Sequence, residues 1–363
     1  MPREVAAGAF AQQAAACARL GSPLYAALLE QVARDIRDGG PCAAAIAGYL
    51  DASFDDAVPL RLLGGVHALV LTGRAPELAA HYPSAGGAFD PARPAAAWPA
   101  FREVVAAEPE WVRAWLRNPP QTNEVGRSSL LVAGLLHTVP TAQLPVRLFE
   151  LGSSAGLNLR AEQFRYTAGD FVWGPVDSPV HLTDTWRGEV PGWLRAGAER
   201  HPSLRIVERR GCDPSPIDPL TQDGSLALRA YLWPDQNERR ARLDGALGIA
   251  AKVPATVEAA GADEFLANVE LEPGTLTVVW HSIMRQYVPD AAWARVEREL
   301  DRLAAAAGPD AGFARISFEP RTVDGEPGFW LVTQAPGEPE RLLTPAPPHG
   351  LPAGVDAAPR RRA

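Results

Sequence analysis

The sequence predicts a mixed α/β chain. It reads as a doubly wound sheet of about seven strands with an antiparallel edge hairpin, preceded by an all-α N-terminal domain. Three observations predict this. Residues 5–138 show helical spacing of apolar side chains, and no period-2 strand pattern occurs before residue 145. From Val146 onward, short apolar runs alternate with a turn and a helical stretch. The last two runs, 329–333 and 341–343, are joined by a Pro/Gly turn without a helix, which makes them an antiparallel hairpin. The expected boundaries are a helical cap or substrate domain over 1–140 and a sheet domain over 141–350. A β-hairpin insertion is expected at about 166–205, and a disordered tail over 351–363.

In the N-terminal part, Val5 to Leu20 is an alanine-rich amphipathic stretch. Ser22-Pro23 reads as an N-cap with Pro at the first helical position, opening a helix from Leu24 to Asp38. Gly39-Gly40 ends it. Further helices are expected at 41–50, 59–72 and 98–116. His67 sits on an apolar helical face and reads as a satisfied core histidine. Pro119-Pro120 breaks the chain, and the polar cluster Gln121-Thr122-Asn123-Glu124-Val125-Gly126-Arg127 leads into an apolar helix at 130–136. That cluster is either a capped helix start, with Arg127 paired to Glu124, or a set of donors and acceptors aimed into a cleft.

Val146, Leu148, Phe149 and Leu151 make the first buried strand. Gly152 and Gly156 follow at once, then a helical stretch from Leu157 to Phe164. Leu204 to Val207 begins a second strand that ends at Cys212-Asp213-Pro214. A short helix is expected within 218–230, an aromatic-polar loop at 231–236 and a clear helix at 238–251. Ala255 to Ala259 is the third strand, followed by a short helix at 264–268. Leu276 to Trp280 is the strongest buried strand, and His281-Ser282 stands at its end. A helix at 290–307 and a fifth strand at 313–318, ending at Glu319-Pro320, complete the series before the hairpin.

Composition narrows the function classes. The chain has 363 residues, 47% hydrophobic and 21% charged, as an ordinary globular protein does. Its net charge of −8 argues against an electrostatic grip on nucleic acid or an anionic membrane. The basic run Arg360, Arg361, Arg362 sits in a Pro/Ala-rich tail and reads as a solvated segment. Cys17, Cys42 and Cys212 have no CxxC spacing, so neither a disulfide framework nor a metal site is expected, and a cytoplasmic location is. The N-terminus lacks the continuous apolar run of a signal peptide. The expected partner is a small molecule.

Ligands of open α/β sheets sit outside the carboxyl ends of the strands, so the residues that follow each strand carry the chemistry. The small-residue turn Gly152, Ser153, Ser154, Ala155, Gly156, with Asn158 beyond it, offers bare peptide groups to a nucleotide-like ligand at a helix start. Glu150 stands two residues before the turn, placed to hold a cationic or hydroxyl group. Asp213 suits a ribose hydroxyl pair, and Asp263 an adenine amino group. His281 is the candidate general base, with Glu124 as the alternate, and His281 and Ser282 are also candidate cofactor contacts; Glu319 ends the next strand. Gln121, Asn123 and Arg127 are candidate substrate ligands, Arg127 through a bidentate grip on a carboxylate. Trp233, Asp235 and Tyr287 are candidates for the acceptor pocket. The turn also matches G-x-S-x-G, the nucleophile elbow, with Ser154, then Asp290 or Asp310, then His349 in the required order. An elbow sits on a central strand with several strands before it, and none is expected before Val146.

The pieces L-F-E-L-G-S-S-A-G-L-N, Q-T-N-E-V-G-R, R-G-C-D-P-S-P-I-D-P, Y-L-W-P-D-Q and V-V-W-H-S-I resemble the bacterial family of unknown function DUF2332. The likeness covers nearly the whole chain, from Ser22-Pro23-Leu24-Tyr25 to His349-Gly350. The C-terminal half is similar to the class I S-adenosylmethionine-dependent methyltransferases. That resemblance implies a Rossmann-like, methyltransferase-type sheet and S-adenosyl-L-methionine as cofactor. By matched position it makes Glu150, Gly152, Ser154 and Gly156 the acidic-plus-glycine loop, Asp213 the ribose carboxylate and Asp263 the adenine contact. The expectation is a methyltransferase acting on a small molecule. The alternatives are an enzyme of the same fold with other chemistry, a serine hydrolase using the turn, and a non-catalytic binder.

Overall fold

The computed structural model describes residues 2–140 and 144–354. The Arg360–Arg362 run and the expected tail from residue 355 on lie outside the described residues. The chain packs as two compact units, Met1–Thr122 with Thr221–Ala241, and Asn123–Leu220 with Arg242–Ala363. The division thus falls after Thr122 and gives 221–241 to the first unit. The helix Ser128–Thr138, which the sequence reading grouped with the N-terminal part, belongs to the second unit. It is apolar all round and buried along its length except at His137, so it needs cover on every side.

The elements of the first unit are helices, among them Pro2–Arg19, Pro23–Asp38, Val58–Leu71, Trp98–Ala107, Pro109–Leu116 and Gln222–Ala230. The single helix expected over 98–116 is two. Pro109 has no N–H to continue the first helix, and it opens the second at its first position. The start of Pro23–Asp38 is capped from a distance. The Ser22 side chain makes no cap bond to the helix. Instead Asp235 accepts from the Leu24 N–H at 3.2 Å and from the Ser22 hydroxyl at 2.6 Å. Gly39 ends this helix at φ 75. His67 is a satisfied core histidine, with Nδ1 3.0 Å from the Ala230 carbonyl and Nε2 2.8 Å from the Ser84 hydroxyl. Burial pushes its pKa down to about 4, so the ring is neutral.

The second unit holds a seven-stranded sheet. We number its strands β1 (Val146–Leu151), β2 (Ile206–Asp213), β3 (Thr256–Ala259), β4 (Thr275–Ser282), β5 (Ala311–Val323), β6 (Glu326–Gln334) and β7 (Arg341–Ala346). Their spatial order is β7-β6-β5-β4-β1-β2-β3. The five strands from β3 to β5 are mutually parallel, and β6 and β7 are antiparallel additions. The chain starts in the middle and winds outward in both directions, so the order reverses between β1 and β4. The expected strands are all present, most of them longer than their apolar runs because the polar ends also pair.

Alternation across the strands sorts side chains to two faces. Phe149, Leu151, Val279 and Phe313 share one core with Phe265, Val296, Leu300 and Leu303 from the helices Ala262–Ala267 and Asp290–Ala306. On the other face the helix Ser128–Thr138 packs so closely that a Cβ on Gly134 would stand 2.5 Å from Ile316. The insertion forms a separate three-stranded sheet, with Arg165–Ala168 between Phe171–Trp173 and His181–Leu182. It also contains a helix, Gly192–Arg200, that the hairpin expectation did not include. The helical stretch expected after the glycine turn is a 3₁₀ segment, Leu157–Gln163, broken at Arg160.

Candidate active site

His281 is the penultimate residue of β4, and its neighbour across the parallel ladder is Ser317. Glu319 stands two residues further along β5 and therefore on the same face. The His281 ring Nδ1 lies 2.8 Å from Glu319 Oε1, and both side chains are buried. The same Glu319 oxygen accepts from the backbone N–H groups of Met284 at 3.2 Å and Arg285 at 3.4 Å. In the neutral ring, a carboxylate acceptor at Nδ1 holds the proton there and Nε2 carries the lone pair. The ring is further fixed edge-on against Trp293, centroids 5.2 Å apart, and the Arg285 guanidinium lies over the same indole, 5.1 Å from its centroid. Next to the pair is a cavity of about 210 Å³, under the helix Asp290–Ala306. Its walls include His281, Glu319, Ser317, Arg315, Trp293 and Gln334. It is smaller than the roughly 300–1,000 Å³ of pockets for drug-sized ligands.

A second polar cluster lies on the opposite face, at the ends of the same strands. Glu150 is 3% exposed and accepts from Trp280 Nε1 at 3.1 Å. Burial pushes its carboxyl up to about 8, against the opposing pull of Trp280 and Arg127. Among the described residues its Oε2 has no hydrogen-bond partner, and neither has the Asn158 side-chain oxygen. The Asn158 amide donates to the Glu124 carbonyl at 3.3 Å. Glu124 Oε1 accepts from the Gly126 N–H at 3.1 Å, and its Oε2 stands 3.2 Å from His349 Nδ1. Arg127 donates to the carbonyls of Pro348 at 3.0 Å and Ser282 at 3.4 Å. The fold therefore does bring Glu124, Arg127, Glu150, Asn158 and Ser282 to one region, and adds His349.

The glycine turn is closed by the chain itself. The N–H groups of Gly152 and Ser153 both donate to the Cys212 carbonyl at 2.9 Å. That of Ser154 donates to Asp213 Oδ2 at 2.9 Å, that of Gly156 to the Ser153 carbonyl at 2.8 Å, and that of Leu157 to the Asn123 side chain at 2.7 Å. Asp213 also accepts from the Ser215 N–H at 2.9 Å. Residues Ser153 to Asn158 are buried. Gly152, at φ 70, leaves space that the Met284 side chain fills, since a Cβ there would meet it at 2.9 Å. The peptide donors of Gly152, Ser153, Ser154, Gly156 and Leu157 are thus engaged internally, and a 3₁₀ segment, not an α-helix, follows them.

The other candidates have separate places. Asp263 is paired with Arg295 at 2.5 Å, which lowers its pKa. Asp235 is the helix cap described above, and Trp233 packs on Tyr25 with centroids 6.4 Å apart; both belong to the first unit, as does Gln121. Tyr287 is 74% exposed in a 3₁₀ turn after β4. Ser154 has the positive φ of an elbow nucleophile, 53°, yet Asp290 is paired with Arg285 at 2.6 Å, and His349 stands beside Glu124. The partner of His281 was missed as a partner. The readable signal was a carboxylate ending the neighbouring strand.

Among the described residues no helix is long and apolar enough to cross a membrane. No curated protein and no solved structure gives a significant match to the chain. One family model matches, described as "Uncharacterized protein conserved in bacteria (DUF2332)", over residues 7–353. A match across nearly the whole length places the chain in that family: this protein is a member of DUF2332.

Proposed function

We propose that this protein is an enzyme that moves a proton on a small molecule bound beside His281, with His281 as the general base and Glu319 as the residue that positions it. The observation that carries this reading is the 2.8 Å contact between His281 Nδ1 and Glu319 at the wall of a cavity. An imidazole held through one nitrogen and turned by a carboxylate is the arrangement general-base catalysis uses, and such a group contributes about 10²–10⁴-fold in rate. The small cavity and the acidic chain support a small metabolite as substrate and not a nucleic acid. The test is to incubate the protein and His281→Ala with an extract of bacterial metabolites and follow both by mass spectrometry. The reading expects a compound consumed by the first and spared by the second; equal profiles would remove it.

A second reading is methyl transfer from S-adenosyl-L-methionine on a Rossmann-like sheet, with an all-α module as the N-terminal partner. The strand order supports it, since the reversal between β1 and β4 is where doubly wound sheets bind nucleotides, and Asp213 reaches the turn from the end of β2. The turn as folded does not fit that cofactor, because five of its peptide donors are already bonded within the chain and Met284 lies against Gly152. Binding there requires Asp213 and Asn123 to release the turn. Calorimetry with S-adenosylmethionine and with S-adenosylhomocysteine decides the point: no heat with either discards methyl transfer and leaves the proton-transfer reading standing.

A further inference from the structure

The cavity beside His281 has three guanidinium groups in its wall, those of Arg285, Arg315 and Arg321. Two are committed. Arg285 donates to the Val288 carbonyl at 3.0 Å and to Asp290 at 2.6 Å while stacked on Trp293. Arg321 is paired at 2.7 Å with Glu340, itself part of the wall. Arg315 differs. Its contact is a loose one, 3.7 Å to Asp301, whose side chain is 76% exposed, and no hydrogen bond engages its donors among the described residues.

Its place in the sheet gives that freedom a meaning. Arg315, Ser317 and Glu319 occupy alternate positions of β5 and share one face. Ser317 is the ladder partner of His281, and Arg315 that of Val279. Ser317 is therefore level with His281, and Arg315 stands about 7 Å below the two along the strand direction. A hydroxyl and a basic nitrogen side by side, with a guanidinium fork two residues below them, match a short molecule with an anion at one end and a reacting proton a few bonds away. The cavity wall also carries Glu297, Glu319 and Glu340, which balance the three arginines. A singly charged, planar carboxylate suits that balance better than a doubly charged phosphate.

We propose that the substrate is a short hydroxy- or amino-carboxylic acid, its carboxylate held by Arg315, its hydroxyl or amine by Ser317, and its reacting proton presented to His281. This assignment rests on the proton-transfer reading, but its test does not depend on turnover. Lactate, the neutral amide lactamide and inorganic phosphate serve as probes, titrated into protein with labelled arginine side chains and followed by NMR. Lactate is expected to shift the Arg315 Nε resonance with a saturable profile, and lactamide and phosphate to bind at least tenfold more weakly. Arg315→Met is expected to weaken lactate at least tenfold, and Arg315→Lys, which keeps the charge and guards against a folding artefact, by less. His281→Ala keeps carboxylate binding. Lactate binding that survives in Arg315→Met, lactamide binding as well as lactate, phosphate binding more tightly than lactate, or no saturable shift with lactate would each overturn the assignment. If Arg315 binds lactate while His281→Ala leaves the metabolite profile unchanged, the subsite stands and the proton-transfer reading fails.

Discussion

Glu319 holds the His281 ring through Nδ1 at 2.8 Å while the same carboxylate oxygen collects the backbone N–H groups of Met284 and Arg285. The carboxylate is thereby fixed on the turn after β4, and the imidazole follows it. Glu319→Ala frees Nδ1 and is expected to replace a single His281 tautomer with a mixture of the two, seen in the imidazole ¹⁵N shifts. It should also cost about 1–3 kcal/mol in stability, the range for leaving a buried donor without its acceptor.

Glu150 sets a pH dependence of the fold. Its carboxyl is raised to about 8 in the folded chain, from an ordinary value of 4.5. The folded state thus binds the proton more tightly than the unfolded state, and stability is lost as pH rises from about 5 to about 8. Glu150→Gln mimics the protonated acid and lacks the titration. Urea unfolding from pH 5 to pH 9 is expected to show the variant gaining on the parent by roughly 1 kcal/mol per pH unit, then levelling off above pH 8. Parallel curves across this range would contradict the neutral state of Glu150.

Gly211 lies under the glycine turn, where an added Cβ would stand 1.9 Å from the Ser153 hydroxyl and 3.0 Å from the Glu150 carbonyl. Gly211→Ala is expected to destabilise the second unit by about 1–3 kcal/mol, as overpacking does. Part of the loss should be recovered by adding Ser153→Ala, which removes the nearest atom. Thermal or chemical unfolding of the single and double variants measures this.

Asp235 caps the helix Pro23–Asp38 from more than two hundred residues away in sequence. Asp235→Ala is expected to cost about 1–2 kcal/mol, as lost N-caps do. Ser22→Ala, which leaves the Leu24 N–H bonded, should cost less. Equal losses would show that the carboxylate is held by Ser22 and does not act on the helix.

Much of the sheet was legible in the sequence because its strands are nearly continuous apolar runs between turns, as at Val146–Leu151 and Thr275–Ser282. His281 was legible for the same reason, as a polar residue ending so apolar a strand. Glu319 as its partner was not, because strand adjacency of β4 and β5 is a property of the winding order and not of either segment. The glycine turn misled in the opposite way. Its residue types announce an open cradle, but whether the peptide groups are free depends on Cys212, Asp213 and Asn123, which arrive from elsewhere in the chain. Capping of Leu24 by Asp235 and not by Ser22 is another long-range solution that local pattern does not reveal.

The most direct measurement compares His281→Ala and Glu319→Gln with the parent on a metabolite that the parent consumes. Loss of about 10²–10⁴-fold in rate for the histidine variant, with a smaller loss for the glutamine variant, is the expected result. Turnover by His281→Ala at the parent's rate would contradict the account.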